Sequence, residues 1–138
     1  MTTTTSQGNI LLVDDDPDLL EALSRVLKRA GYTCHCAQYE EAALKLAKEI
    51  DADLVIADIN LAGTSGLVLC EKLRQELGLH ELPVIFLSGA QIADAVTRAH
   101  AVGGMYYLRK PFDTDVLLDI VSKSMWMPCL MRSKYENN

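Results

Sequence analysis

A five-stranded parallel β-sheet, doubly wound with helices on both faces, is predicted by three observations on this chain of 138 residues. Short, wholly apolar runs alternate five times with stretches carrying apolar residues at helical spacing. Strands that are apolar on both faces belong to parallel sheets covered on both sides, and right-handed crossovers link them. Length agrees, because the chain accommodates one core and not two cooperative domains.

The elements follow in order. "NILLVDDD" is an apolar strand ending in acids, and Pro17 after Asp16 sits as the first helical residue after its cap. Leu19, Leu20, Leu23, Val26 and Leu27 recur at helical spacing, and Gly31 follows, so the first helix spans about 17–30. "YTCHCA" (32–37) reads as strand two, and "YEEAALKLAKE" (39–49) as a helix with an Ala/Leu stripe. "ADLVIAD" is strand three. A third helix runs roughly 67–77, after Gly66 and closed by Gly78. "PVIFLS" is strand four, with a helix at about 91–102. "MYYLR" is strand five, followed by a helix at about 113–126 that Pro128 closes.

Composition narrows the function. A net charge of −6 with no Lys/Arg cluster argues against nucleic-acid binding. No apolar run reaches the roughly 18 residues of a membrane span, and "MTTTTSQGN" lacks the charged and apolar regions of a signal peptide, so the expected compartment is the cytoplasm. Cys34, Cys36, Cys70 and Cys129 form no CxxC pair and read as reduced thiols. Cys34 and Cys36, two apart on a strand, are expected to face the core together. His35, His80 and His100 lack partners at ligand or triad spacing.

In doubly wound sheets, ligands bind beyond the carboxyl ends of the strands, where strand order reverses. The first polar residues after the strands are Asp14, Asp15 and Asp16, then Asp58, Ser88 and Lys110. Any one of these alone is a cap, a turn former or a surface charge. At one sheet edge, clustered carboxylates repel one another and ask for a cation. Mg²⁺ suits them, since it takes oxygen ligands and is commonly held by one or two carboxylates plus a phosphate. A lysine and a hydroxyl beside them suit phosphoryl oxygens, and a carboxylate can itself be the nucleophile.

With "ILLVDDDP", "LVIADINLAGTSGL", "PVIFLSG" and "YYLRKPF" in order and properly spaced, the chain resembles the receiver domain of two-component response regulators over about 8–126. The resemblance implies the flavodoxin-like strand order 2-1-3-4-5, with 1–7 as a disordered tail and 127–138 as a tail or linker. It implies that Asp58 accepts a phosphoryl group from a histidine kinase or histidine phosphotransfer protein. Asp15, Asp58 and the main-chain carbonyl of Asn60 then coordinate Mg²⁺, or Mn²⁺ in its place, and Asp14 reaches the metal through water. Ser88 and Lys110 bind the phosphoryl oxygens, and Tyr107 changes rotamer when Ser88 moves. Lys110–Pro111 matches a peptide bond that is usually cis in the family, against about 5–6% of X–Pro bonds generally.

Asn60 and Ala90 fall where the family tunes the lifetime of the phosphorylated state. The residues after Asp58 read as a loop, in which Ala62 stands where many relatives carry Pro and "GTSG" replaces a commoner arrangement. The implied output is a shifted equilibrium on the face formed by the fourth helix, fifth strand and fifth helix, read by a downstream protein, a fused effector domain or a second copy. Residues 126–138 are too short for an effector domain, which leaves a single-domain regulator or a piece of a longer one. Two other classes compete. A receiver-fold scaffold would bind partners without phosphorylation. A haloacid-dehalogenase-like phosphatase also uses a strand-end Asp with Mg²⁺, but Asn60 stands where its general acid would be.

Overall fold

The computed structural model describes residues 7–61, 63–89 and 106–136, with 126–136 as backbone alone. Strands β1 (Asn9–Val13), β2 (Thr33–Ala37), β3 (Leu54–Asp58), β6 (Val84–Ser88) and β7 (Tyr106–Arg109) form one parallel sheet in the order β2-β1-β3-β6-β7. Counting only these five, that is the expected 2-1-3-4-5. The helices described are α1 (Pro17–Arg29), α2 (Glu40–Glu49), α3 (Gly66–Gln75) and α4 (Thr114–Glu136). The helix expected at 91–102 lies outside the described residues, as do Ala62, Ala90 and residues 1–6.

Successive residues of the central strands point to opposite faces, and each face has its own helices. Leu11, Val13, Val55, Ala57, Val84 and Phe86 pack with Ala43 and Ala47 of α2 and Leu69, Cys70 and Leu73 of α3. Ile10, Leu12, Leu54, Ile56, Ile85 and Leu87 pack with Leu20, Leu23 and Leu27 of α1 and Leu117 and Val121 of α4. Burial on both faces is why β3 and β6 read as unbroken apolar runs.

Local chemistry sets the helix ends. Asp16 caps α1 by accepting from the Asp18 amide at 3.0 Å, with Pro17 next in the first turn. Ser65 caps α3 by accepting from Val68 at 3.2 Å. Gly31 and Gly78 follow α1 and α3 at φ +102 and +69, the left-handed region expected after a helix.

Three expectations need correction. Pro128 does not close the last helix: α4 runs on to Glu136, because proline deletes one N–H and kinks a helix more readily than it stops one with bonded turns on either side. Residues 60–65 are not plain loop but a small antiparallel ladder, β4 (Asn60–Leu61) with β5 (Thr64–Ser65). Cys34 and Cys36 are not both in the core. β2 is an edge strand, so Cys34 is half-buried against the α1 face and Cys36 is exposed.

Candidate functional site

Register places the site. Val13 pairs with Ala57, so the next residues, Asp14 and Asp58, emerge side by side where strand order reverses between β1 and β3. Asp58 pairs with Leu87, which carries Ser88 one step further along β6. Ser88 pairs with Arg109, and the Lys110 amide donates to the Ser88 carbonyl at 2.8 Å, so Lys110 leaves β7 at the same edge. The Lys110–Pro111 peptide bond is cis.

Lys110 Nζ donates to Asp14 Oδ2 and to Asp58 Oδ2, each at 2.8 Å. The remaining oxygens are also engaged. Asp14 Oδ1 accepts from the Asp16 amide and Asp58 Oδ1 from the Asn60 amide, each at 2.9 Å. Asp14 is 1% exposed, Asp58 8% and Ser88 0%, whereas Asp15 faces solvent. Asp14, Asp15 and Asp58 each offer a carboxylate oxygen within 4.8 Å of the others. An all-oxygen set with one solvent-facing member fits a hard divalent cation that keeps some of its water.

The electrostatics follow from burial and proximity. Burial pushes the Asp58 carboxyl above the usual aspartate range. The Lys110 and Asn60 hydrogen bonds pull it back only in part, and the Asp14 charge adds to the rise. For Lys110, burial acts in the opposite direction, but its bonds to Asp14 and Asp58 hold the ammonium above the ordinary lysine value. The lysine is therefore charged at neutral pH.

Asp14, Asp15, Asp58, Ser88 and Lys110 thus share one edge, as the strand-end reading expected. Asn60 is exposed beside the cluster. Tyr107 lies on β7, packed against the α2/α3 core, with its hydroxyl buried and unpaired among the described residues. Strand-end reasoning did not find the engagement of Asp14 by Lys110, nor the β4/β5 ladder. The signal for the ladder was Gly63 just before Thr64. Gly63 takes φ +76, a left-handed backbone that glycine adopts without steric cost, just before β5.

Residues 10–122 match the family model of the response regulator receiver domain. The chain belongs to this family. The receiver domain is 31% identical to the DNA-binding transcriptional regulator NtrC of Escherichia coli over 119 residues, which are 86% of this chain and 25% of NtrC. It is 34% identical to the heme response regulator HssR of Staphylococcus epidermidis over 110 residues, 80% of this chain and 48% of HssR. The chain therefore spans half or less of the length of these two relatives. Among solved structures, it is similar to the chemotaxis protein CheY4 of Vibrio cholerae, with a TM-score of 0.81 and 25% identity, covering 86% of this chain and 99% of CheY4. The fold is that of the chemotaxis regulators, and the function is that of a receiver in two-component signalling. Among the described residues, no helix is long and apolar enough to cross a membrane.

Proposed function

We propose that Asp58 is the phosphoacceptor of this receiver. The observation that carries the reading is the double engagement of Lys110, at 2.8 Å from both Asp14 and Asp58, with Asp15 in the same cluster. Asp58 Oδ attacks the phosphorus of a phosphohistidine. The P–N bond breaks, its electrons return to the imidazole of a histidine kinase or phosphotransfer protein, and an acyl phosphate forms. The chain thereby catalyses its own phosphorylation and, with water as the nucleophile, its own dephosphorylation.

Asp15, Asp58 and the Asn60 carbonyl would hold Mg²⁺, with Asp14 acting through water. When bound, the ion offsets charge on the transferring phosphoryl oxygens. Lys110 moves from the carboxylate pair to a phosphoryl oxygen, and the Ser88 hydroxyl donates to another. Displacement of Ser88 toward the phosphoryl group opens space that Tyr107 takes up. Its unpaired buried hydroxyl supports that role, since leaving the core for solvent restores a hydrogen bond. The shifted population is read on the face that includes β7 and α4, by a downstream protein, a fused effector domain or a second copy. We read 8–126 as the receiver unit, 127–138 as a tail or linker into which α4 continues, and the cytoplasm as its compartment.

Incubation with acetyl phosphate and Mg²⁺ tests this. Intact-mass measurement should show one added phosphoryl group, acid-stable and base-labile, absent in Asp58→Asn and without Mg²⁺. A folded wild-type chain that stays unlabelled would support the phosphorylation-independent scaffold instead. Repeated turnover of phosphomonoesters would support the phosphatase.

A further inference from the structure

Gly66 opens α3 directly behind the acidic edge, and its surroundings differ from those of the other glycines near α3. A Cβ at 66 would lie 2.3 Å from the Asp58 carbonyl oxygen, 3.0 Å from the Asp58 carbonyl carbon and 3.4 Å from Ile59 Cα. All three are main-chain atoms at the end of a buried strand, with no flexible side chain to yield. Gly63 and Gly78, by contrast, have open space where a Cβ would stand.

The φ of Gly66 lies outside the left-handed region, and alanine is a better helix former than glycine by about 1 kcal/mol. Neither backbone conformation nor propensity requires glycine here, so close approach does. The Gly66 amide donates to the Ile59 carbonyl at 2.8 Å, and Asn60 and Leu61 pair with Ser65 and Thr64. The Asn60 amide in turn donates to Asp58 Oδ1. The main chain from Asp58 to Asn60 is thus gripped between β6 on one side and the start of α3 on the other, with the Ile59 amide donating to Leu87 at 2.9 Å.

We propose that Gly66 is a positioning residue for the cation. By admitting no side chain, it lets α3 rest on the Asp58–Ile59 main chain and so sets the Asp58 carboxylate and the Asn60 carbonyl relative to each other. The inference rests on the reading of these two groups as metal ligands. In Gly66→Ala, the main chain at 58–59 must retreat, and the two oxygens separate or turn.

The test is Mg²⁺ titration by calorimetry on the full chain, comparing wild type with Gly66→Ala and Gly78→Ala. The second variant carries backbone strain at φ +69 away from the cluster and loses stability without touching Asp58. Gly66→Ala should weaken Mg²⁺ binding about tenfold or more, while Gly78→Ala binds as the wild type does. Wild-type affinity in Gly66→Ala would overturn the inference and leave the site reading standing. No Mg²⁺ binding by the wild type would refute the site reading, and the inference with it. Hydrogen exchange on the wild type decides the case if Gly66→Ala does not fold. Saturating Mg²⁺ should slow exchange of the Gly66 amide, and an unchanged rate overturns the proposal.

Discussion

Asp58 is held in a state that costs the folded chain stability. Its carboxyl is raised above the ordinary range chiefly by burial, and Lys110 offsets only part of this. A carboxyl with a higher pKa in the folded state binds its proton more tightly there, so it favours folding at low pH. That advantage disappears as pH rises from the usual aspartate value near about 4 through the raised one. Asp58→Asn has no such proton. In Mg²⁺-free buffer, its stability relative to wild type should therefore grow between pH 4 and 7, read as the difference in urea midpoint. A difference that stays constant across that range would mean that Asp58 does not titrate differently in the two states. Asp58 and Ser88 were legible in the sequence because each is the first polar residue after an apolar run, and Lys110 because it directly follows the strand "MYYLR". The partly exposed β2 cysteines were not, because exposure depends on whether a strand lies at the sheet edge.

At the scale of elements, α3 does more than cover the sheet. Arg74, in its last turn, donates to the Leu79 carbonyl at 2.7 Å and also to the Leu82 carbonyl. It thus ties the connection that enters β6, the strand carrying Ser88. Hydrogen bonds to charged groups contribute about 1.5–3 kcal/mol, and Arg74→Ala should lose roughly that in urea unfolding with an unchanged denaturant slope. Arg74→Lys should recover part of it, since one nitrogen, Nη1, makes both bonds and an ammonium also carries several donors. A loss under about 0.5 kcal/mol, the range of ordinary surface substitutions, would rule out the tie. Apolar runs and helical stripes made the main elements legible, and α1 and β3 fall within a few residues of expectation. The β4/β5 ladder was missed because two-residue strands have no periodicity to detect. The last helix was cut short because proline's local penalty was weighed without the turns on either side.

For the whole molecule, the sheet brings three strand ends together and Lys110 joins them: it leaves β7 and reaches carboxylates at the ends of β1 and β3. Lys110→Ala leaves Asp14 and Asp58 buried beside each other without their cation. The cost should be about 1–3 kcal/mol, less than at a fully buried pair because 26% of the lysine side chain remains exposed. On the proposed metal reading, Mg²⁺ binds the folded state and should raise the urea midpoint of Lys110→Ala more than that of wild type. Equal midpoints with and without Mg²⁺ would show that the ion does not bind this edge, and an unchanged midpoint in Lys110→Ala would show that the ammonium does not hold it together.

The sequence by itself determined which segments become buried strands and which groups those strands present at their ends, because apolar periodicity and the first polar residue after a run are local properties. It also carried enough spaced motifs to point to the receiver family. Only the tertiary structure decided that Lys110 lies 2.8 Å from Asp14, 96 residues away, and the same distance from Asp58. Only the tertiary structure placed Gly66 against the Asp58 main chain. Such contacts depend on strand order, register and the angle at which a helix leaves its strand. These are set by how all the elements pack around the two cores together, and no single stretch of sequence encodes them.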